Sequence, residues 1–209
     1  MAKTIEARPQ QALLRYSNVA VAFHWVTVVL VLFQLWLGFS FADMAQGHDR
    51  AQLFTWHRTI GAIILLVTLA RLTYRLRNPP PPYPPQLPRW ERIAGTWNHR
   101  LFYLLLIAMP LVGLVAASGM MPGSTISFVG GIVLPKIPGV SKEIGETAGD
   151  VHSAAALLLC ALIVLHVAAA LKHEFFDRNR VAGRMPPFKD PVNEPVVVGQ
   201  GAAGLARSR

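Results

Sequence analysis

Cysteine is nearly absent from this chain of 209 residues: the single one, Cys160, lies inside an apolar run. A lone cysteine excludes an intrachain disulfide and any iron-sulfur or zinc centre built on thiolates, and Cys160 reads as a small packing residue. Charge is also scarce, at 15% of residues against roughly 25% in an average soluble domain. Acidic residues are the scarcer sign, with 11 Asp and Glu to 20 Lys and Arg. The basic excess forms no stripe on a soluble surface. Its members sit just outside the apolar runs, so no nucleic-acid partner is expected and membrane topology accounts for them better.

What the chain has in quantity is apolar sequence, 53% of residues, gathered into four runs that each approach the ~20 residues needed to span a bilayer. The expected fold is all-α, a four-helix transmembrane bundle surrounded by lipid. Its helices are expected at Val19 to Ala42, Leu53 to Leu76, Trp97 to Ser118 and Val151 to His173. The first run is too long for the apolar part of a typical signal peptide and is read as a retained helix. Residues 1–18 and 177–209 are expected as tails flanking a membrane domain at 19–176, with the chain after Asp190 disordered.

The stretch Asn78 to Pro88 holds seven prolines, which disfavour helix and predict a stiff extended strap between helices 2 and 3. Pro110 is expected to bend helix 3 near Ile107. Residues 119–150 form the longest loop, whose apolar stretch Ile126 to Leu134 is too short to span and is expected to lie along the interface or fold over the bundle mouth. Sixteen Lys and Arg residues, among them Arg15, Arg75, Arg92, Lys172 and Arg184, fall on the side that holds both tails, against Arg50, Arg58, Lys136 and Lys142 on the other. That imbalance predicts both termini in the cytoplasm.

Ionisable residues inside a membrane are costly and usually functional. Four of the seven histidines, His24, His57, His152 and His166, fall in the apolar runs or at their edges. His152 and His166 are fourteen residues apart, about 21 Å of rise and about 40° short of whole turns, so both face one side of helix 4 at different depths. His24 matches the depth of His166, and His57 that of His152, with the second pair placed at the starts of helices 2 and 4. Two histidines level on facing helices suit an iron held on both axial faces, an arrangement that favours electron transfer over oxygen binding. Haem fits this better than bare metal. The small residues Ala154 to Ala156, Ala168 to Ala170 and Gly61 either leave room for flat macrocycles or serve ordinary helix packing.

Arg58 and Arg71 are thirteen residues apart, about 20 Å, less than the ~30 Å hydrocarbon core, so at least one is drawn inward and wants an anionic partner. Haem propionates are the expected partners, Arg71 inside and Arg58 outside, with snorkelling to lipid phosphate as the plainer alternative. His99 is expected to lie too shallow to match His166, and His48 to be a loop residue. His173, beside Lys172 at the inner end of helix 4, is either a proton-handling group for a quinone or a simple helix-end histidine.

The chain resembles the bacterial cytochrome b561 family. The resemblance rests on Arg15-Tyr16-Ser17 leading to Phe23-His24-Trp25, on His57 through Gly61 to Arg71-Leu72, on His152, on Leu165 to His173, and on Arg184-Met185-Pro186. It implies an inner-membrane protein with two haem b groups ligated by His24, His57, His152 and His166. It further implies that superoxide gives up its electron at the periplasmic side and that ubiquinone is reduced nearer the cytoplasm, with His173 at the quinone site. The outer loop, with Lys136 and Lys142 against Glu143, Glu146 and Asp150, departs most from the family and leaves attraction of superoxide to Arg58 and Arg50. A second reading makes the bundle the haem subunit of a hydrogenase or dehydrogenase, relaying electrons between an iron-sulfur partner and quinone. A third, a haem-free transporter, would need inverted repeats or broken helices that the sequence does not show.

Overall fold

The computed structural model describes residues 16–83, 87–177 and 184–185. Four helices dominate: α1 (Asn18–Ala42), α2 (His48–Arg77), α3 (Arg89–Met120) and α4 (Lys142–Leu171), the last continued by a π-helical turn, Lys172–Phe176. All four are long and apolar enough to cross a membrane. The described residues form an all-α transmembrane-type bundle.

Local chemistry sets the helix starts. Ser17 and Ser141 each accept a hydrogen bond from the backbone N–H three residues on, at Ala20 and Ile144 (3.2 Å both), capping α1 and α4. Proline 88, which cannot continue a helix backwards, stands immediately before α3. The expected strap falls partly on residues 84–86, outside those described; residues 79–83 carry no helix, and Tyr83 turns back to Thr96 of α3, 3.3 Å between hydroxyls. Pro110 lies within α3, which runs on through it.

Helix lengths correct the sequence reading. At 30 residues for α2, 32 for α3 and 30 for α4, the helices run about 45 to 48 Å, well past the ~30 Å hydrocarbon core. Each begins with a polar stretch that apolar content alone does not register. His48 is therefore the first residue of α2, where a loop was expected, and neither His57 nor His152 stands at a helix start. The tails at residues 1–15 and after Asp190 lie outside the described residues.

Successive helices are antiparallel neighbours, with close backbone approaches of α1 to α2, α2 to α3 and α3 to α4. The tightest is at the far end of α3. A Cβ on Gly119 would lie 2.7 Å from the Gly145 Cα and 2.5 Å from the Ser141 carbonyl oxygen, so two glycines let these backbones touch. The core joins Val31, Leu37, Ile60, Ile64, Leu105, Leu106 and Leu159, while residues such as Leu66 and Val164 are more than two-thirds exposed on the outside, as lipid-facing side chains are.

The loop after α3 folds over the bundle, one of the two outcomes expected of it. Strands β1 (Thr125–Ser127) and β2 (Val133–Pro135) pair antiparallel, Ile126 opposite Leu134. Gly130 and Gly131, at φ 85° and 78°, supply the left-handed turn between them. Ile126 is fully buried, and the Val129 N–H donates to Thr59 Oγ1 of α2 (3.0 Å). This end, with the hairpin, is called the loop end below; the end holding the start of α1 and the finish of α4 is the terminal end.

Candidate haem centres

The four singled-out histidines meet as two pairs. At the terminal end the rings of His24 (α1) and His166 (α4) have centroids 6.4 Å apart. Towards the loop end His57 (α2) and His152 (α4) are 6.0 Å apart. Pairing by depth survives, although the helices start earlier than expected, because each helix gains length without changing its histidine's level. Both pairs reach between α4 and the α1–α2 side, where the helices do not pack closely.

These separations test the donor set. An iron held on both faces by imidazole nitrogens, at about 2 Å per bond, sets the ring centroids about 6 Å apart. The described residues fit haem at both levels.

At the loop-end pair, His152 Nδ1 donates to the Met109 carbonyl oxygen (3.0 Å), which leaves Nε2 as the nitrogen that could hold an iron. A Cβ on Gly113 would sit 3.2 Å from the His152 ring, and one on Gly38 3.3 Å from the His57 ring, so both glycines make shelves for imidazoles. His57 Nδ1 is buried without a hydrogen-bond partner, while the His57 carbonyl accepts from Gln34 Nε2 (3.0 Å). Gly61 makes room for that glutamine, its ideal Cβ lying 3.2 Å from Gln34 Nε2, and not directly for a macrocycle. Ala154, Ala168 and Ala169 are exposed. The space at this level therefore comes from glycines on α1 and α3 that the sequence reading passed over.

At the terminal-end pair, side chains do the positioning. Arg71 NH2 lies 3.3 Å from His24 Nδ1, and the guanidinium sits 5.7 Å over the Tyr103 ring. No carboxylate pairs with it among the described residues, which suits an anionic group of a ligand. Asn98 Nδ2 lies 3.3 Å from His166 Nδ1, while Asn98 Oδ1 is buried without a partner. With the two amide atoms exchanged, Oδ1 accepts from His166 Nδ1–H.

His99 corrects the sequence reading. Because α3 begins at Arg89, His99 lies well inside the helix, and its ring reaches 5.4 Å from that of His166, edge-on. It shares the depth of the terminal-end pair after all. The 6.4 Å separation of His24 from His166 still fits an intervening iron better.

Arg58 donates to Met121 Sδ (2.6 Å) and Thr55 Oγ1 (2.9 Å), with Nε buried and unpaired, while Lys136 donates to the Met121 carbonyl. Two cations thus converge at the loop end, Lys136 being one the sequence reading had discounted. Arg50 is turned onto Phe41 O (3.2 Å) and Gln46 Oε1 (3.1 Å). At the opposite end His173 Nδ1 bonds Asp177 Oδ2 (2.9 Å), and Glu91 Oε2 lies 3.9 Å from His173 Nε2. Glu91 and Asp177 carried no individual sequence signal.

A family model described as prokaryotic cytochrome b561 matches residues 15–187. Among curated proteins, cytochrome b561 homolog 2 of Escherichia coli (strain K12) is 29% identical over 175 residues, covering 82% of this chain and 90% of the relative. Probable superoxide oxidase CybB of Yersinia pestis is 28% identical over 176 residues, covering 84% and 97%. Cytochrome b561 homolog 1 of Escherichia coli (strain K12) is 26% identical over 183 residues, covering 83% and 97%. The paired imidazoles and this match lead to one conclusion: the chain belongs to the prokaryotic cytochrome b561 family, multi-pass membrane electron-transfer proteins that bind haem b.

Proposed function

We propose that the chain holds two haem b groups and is a superoxide:ubiquinone oxidoreductase of the bacterial inner membrane, with both termini in the cytoplasm. The observation that carries this reading is the pair of ring separations, 6.4 and 6.0 Å, at two depths of one bundle. The overall reaction balances as two superoxide anions, one ubiquinone and two protons giving two dioxygen molecules and one ubiquinol. The similarity to a protein named probable superoxide oxidase supports the donor.

His24 and His166 would hold the inner group, and His57 and His152 the outer. Bound haem b supplies a reversible one-electron couple, which suits a one-electron donor. Arg71 is placed to hold an inner propionate. Arg58 serves the outer, periplasmic level, either on a propionate or by drawing superoxide in, and Lys136 adds positive charge beside it. His173 lies at the cytoplasmic end, where ubiquinone must collect protons.

The test is a haem assay on purified protein followed by rapid mixing with superoxide and then ubiquinone-1. Two haems per chain, reduced by superoxide and reoxidised by the quinone, are expected. One haem per chain would overturn the pairing. A full complement inert to superoxide would overturn the donor and favour the subunit that relays electrons from an iron-sulfur partner.

A further inference from the structure

Away from the paired imidazoles, the terminal end gathers Glu91 from the start of α3 with Lys172, His173 and Asp177 from the end of α4. One ligand atom each of Glu91, His173 and Asp177 lie within 4.8 Å of one another. A metal is disfavoured here, because the Lys172 ammonium already bonds both carboxylates, Glu91 Oε1 at 2.9 Å and Asp177 Oδ2 at 2.7 Å. A cation would have to displace it.

The two carboxylates differ in a way that matters. The Glu91 side chain is only 9% exposed, and its Oε2 is buried with no hydrogen-bond partner. Lys172 holds Oε1, which leaves Oε2 towards His173 Nε2 at 3.9 Å. Asp177, 28% exposed, takes the other ring nitrogen, Nδ1, at 2.9 Å. Its bond to Lys172 holds the Asp177 carboxyl below the usual carboxylate range, so it stays ionised and keeps the Nδ1 proton in place. His173 and Asp177 stand four residues apart, neighbours on one helix face, and the π-helical turn, with Asp177 N–H on the Lys172 carbonyl (3.0 Å), accompanies the contact of Asp177 with Lys172 as well. A buried, unsatisfied carboxylate oxygen next to an imidazole whose tautomer is fixed is a costly arrangement unless a proton moves between them.

We propose that Glu91, His173 and Asp177 form a proton relay, with Glu91 the terminal donor to the reduced quinone. The proposal rests on the quinone-reducing reading above. Two electrons, one from each superoxide, enter the quinone; for each proton the Glu91 Oε2–H bond breaks and a quinone O–H bond forms. The Glu91 carboxylate is reloaded from His173 Nε2–H, converting imidazolium to imidazole, and His173 is reprotonated from cytoplasmic water. Asp177 does not carry protons; it is a positioning residue that keeps Nε2 as the exchanging atom. The 3.9 Å gap exceeds a hydrogen bond and needs a small shift of the imidazole, as catalytic contacts commonly do before substrate binds. Among the described residues, the charged groups facing His173 include Glu91 from α3, Asp177 after its own turn, and Lys172 between the two carboxylates.

The experiment uses full-length, haem-loaded protein, reduced anaerobically and mixed with ubiquinone-1 from pH 6 to 9, with ferricyanide as an acceptor that takes no proton. In the wild type, oxidation by ubiquinone-1 is expected to slow as pH rises. E91Q should lower that rate at least about ten-fold and flatten its pH profile, while ferricyanide oxidation and haem content stay near wild type. E91D should restore most of the rate, and D177N should shift the profile without abolishing it. A wild-type rate and profile in E91Q, with ubiquinone-1 still oxidising the wild type, would overturn the relay and leave the quinone reading standing. Wild-type protein that ubiquinone-1 cannot oxidise at any pH would sink both. Should E91Q fail to load haem, E91D against D177N carries the test, and identical pH profiles in the two and in wild type would overturn it.

Discussion

The two histidine pairs are built to similar ring separations by different means. Towards the loop end the positioning comes from backbone and empty space, with the Met109 carbonyl on His152 Nδ1 and two glycines where a methyl group would strike the rings. Towards the terminal end it comes from side chains, Arg71 beside His24 and Asn98 and His99 beside His166. A backbone acceptor is supplied by any residue at its position, whereas a side-chain partner is lost with one substitution. The loop-end pair should therefore be insensitive to its neighbours' polarity and sensitive to their bulk, and the terminal-end pair the reverse.

The largest expected effect is loss of a whole cofactor. H57A or H152A should cut the haem content from two per chain to one and remove only the outer group, while H24A or H166A should remove only the inner one. Absorption spectra and redox titration of each variant distinguish the two, and loss of the inner signal from H57A would break the pairing. Next in size, G113A places a methyl group 3.2 Å from the His152 ring and should destabilise the loop-end site by about 1 to 3 kcal/mol. Its outer haem should be lost first on mild denaturation. An outer haem as firmly held as in wild type would show that this shelf gives way.

The smallest effect concerns acid. Asp177 has its pKa lowered from 3.8, first by the Lys172 hydrogen bond, so the stability it contributes is present above that value and is lost as pH falls through the lower, folded one. The gap in melting temperature between wild type and D177N should be constant near neutrality and close only below about pH 4. A gap that closes well above pH 4 would show that the Asp177 carboxyl is not its source.

The bundle and its histidine pairing were legible because hydrocarbon thickness and helical rise are rigid rulers. A fourteen-residue step fixes two depths on α4, and Arg71 follows His57 by the same step to the level of His24. Helix starts were not legible from hydropathy, since Lys142 to Asp150 is helical yet polar; the Ser141 cap was the available signal. That omission misplaced His99. Gly38 and Gly113 look like any small residue in an apolar run, and only three-dimensional proximity to an imidazole distinguishes them. Glu91 and Asp177 are far apart in sequence and acquire meaning through their shared contacts with Lys172 and His173, which no spacing in the sequence marks.

Both pairs take one imidazole from α4, the last of the four described helices to leave the ribosome. Neither pair exists until α4 has joined the other three helices, since one needs His152 and the other His166, and until then His57 and His24 stand without these partners. Under the proposed ligation, α4 closes both sites together, and a chain truncated before α4 would have neither histidine pair complete.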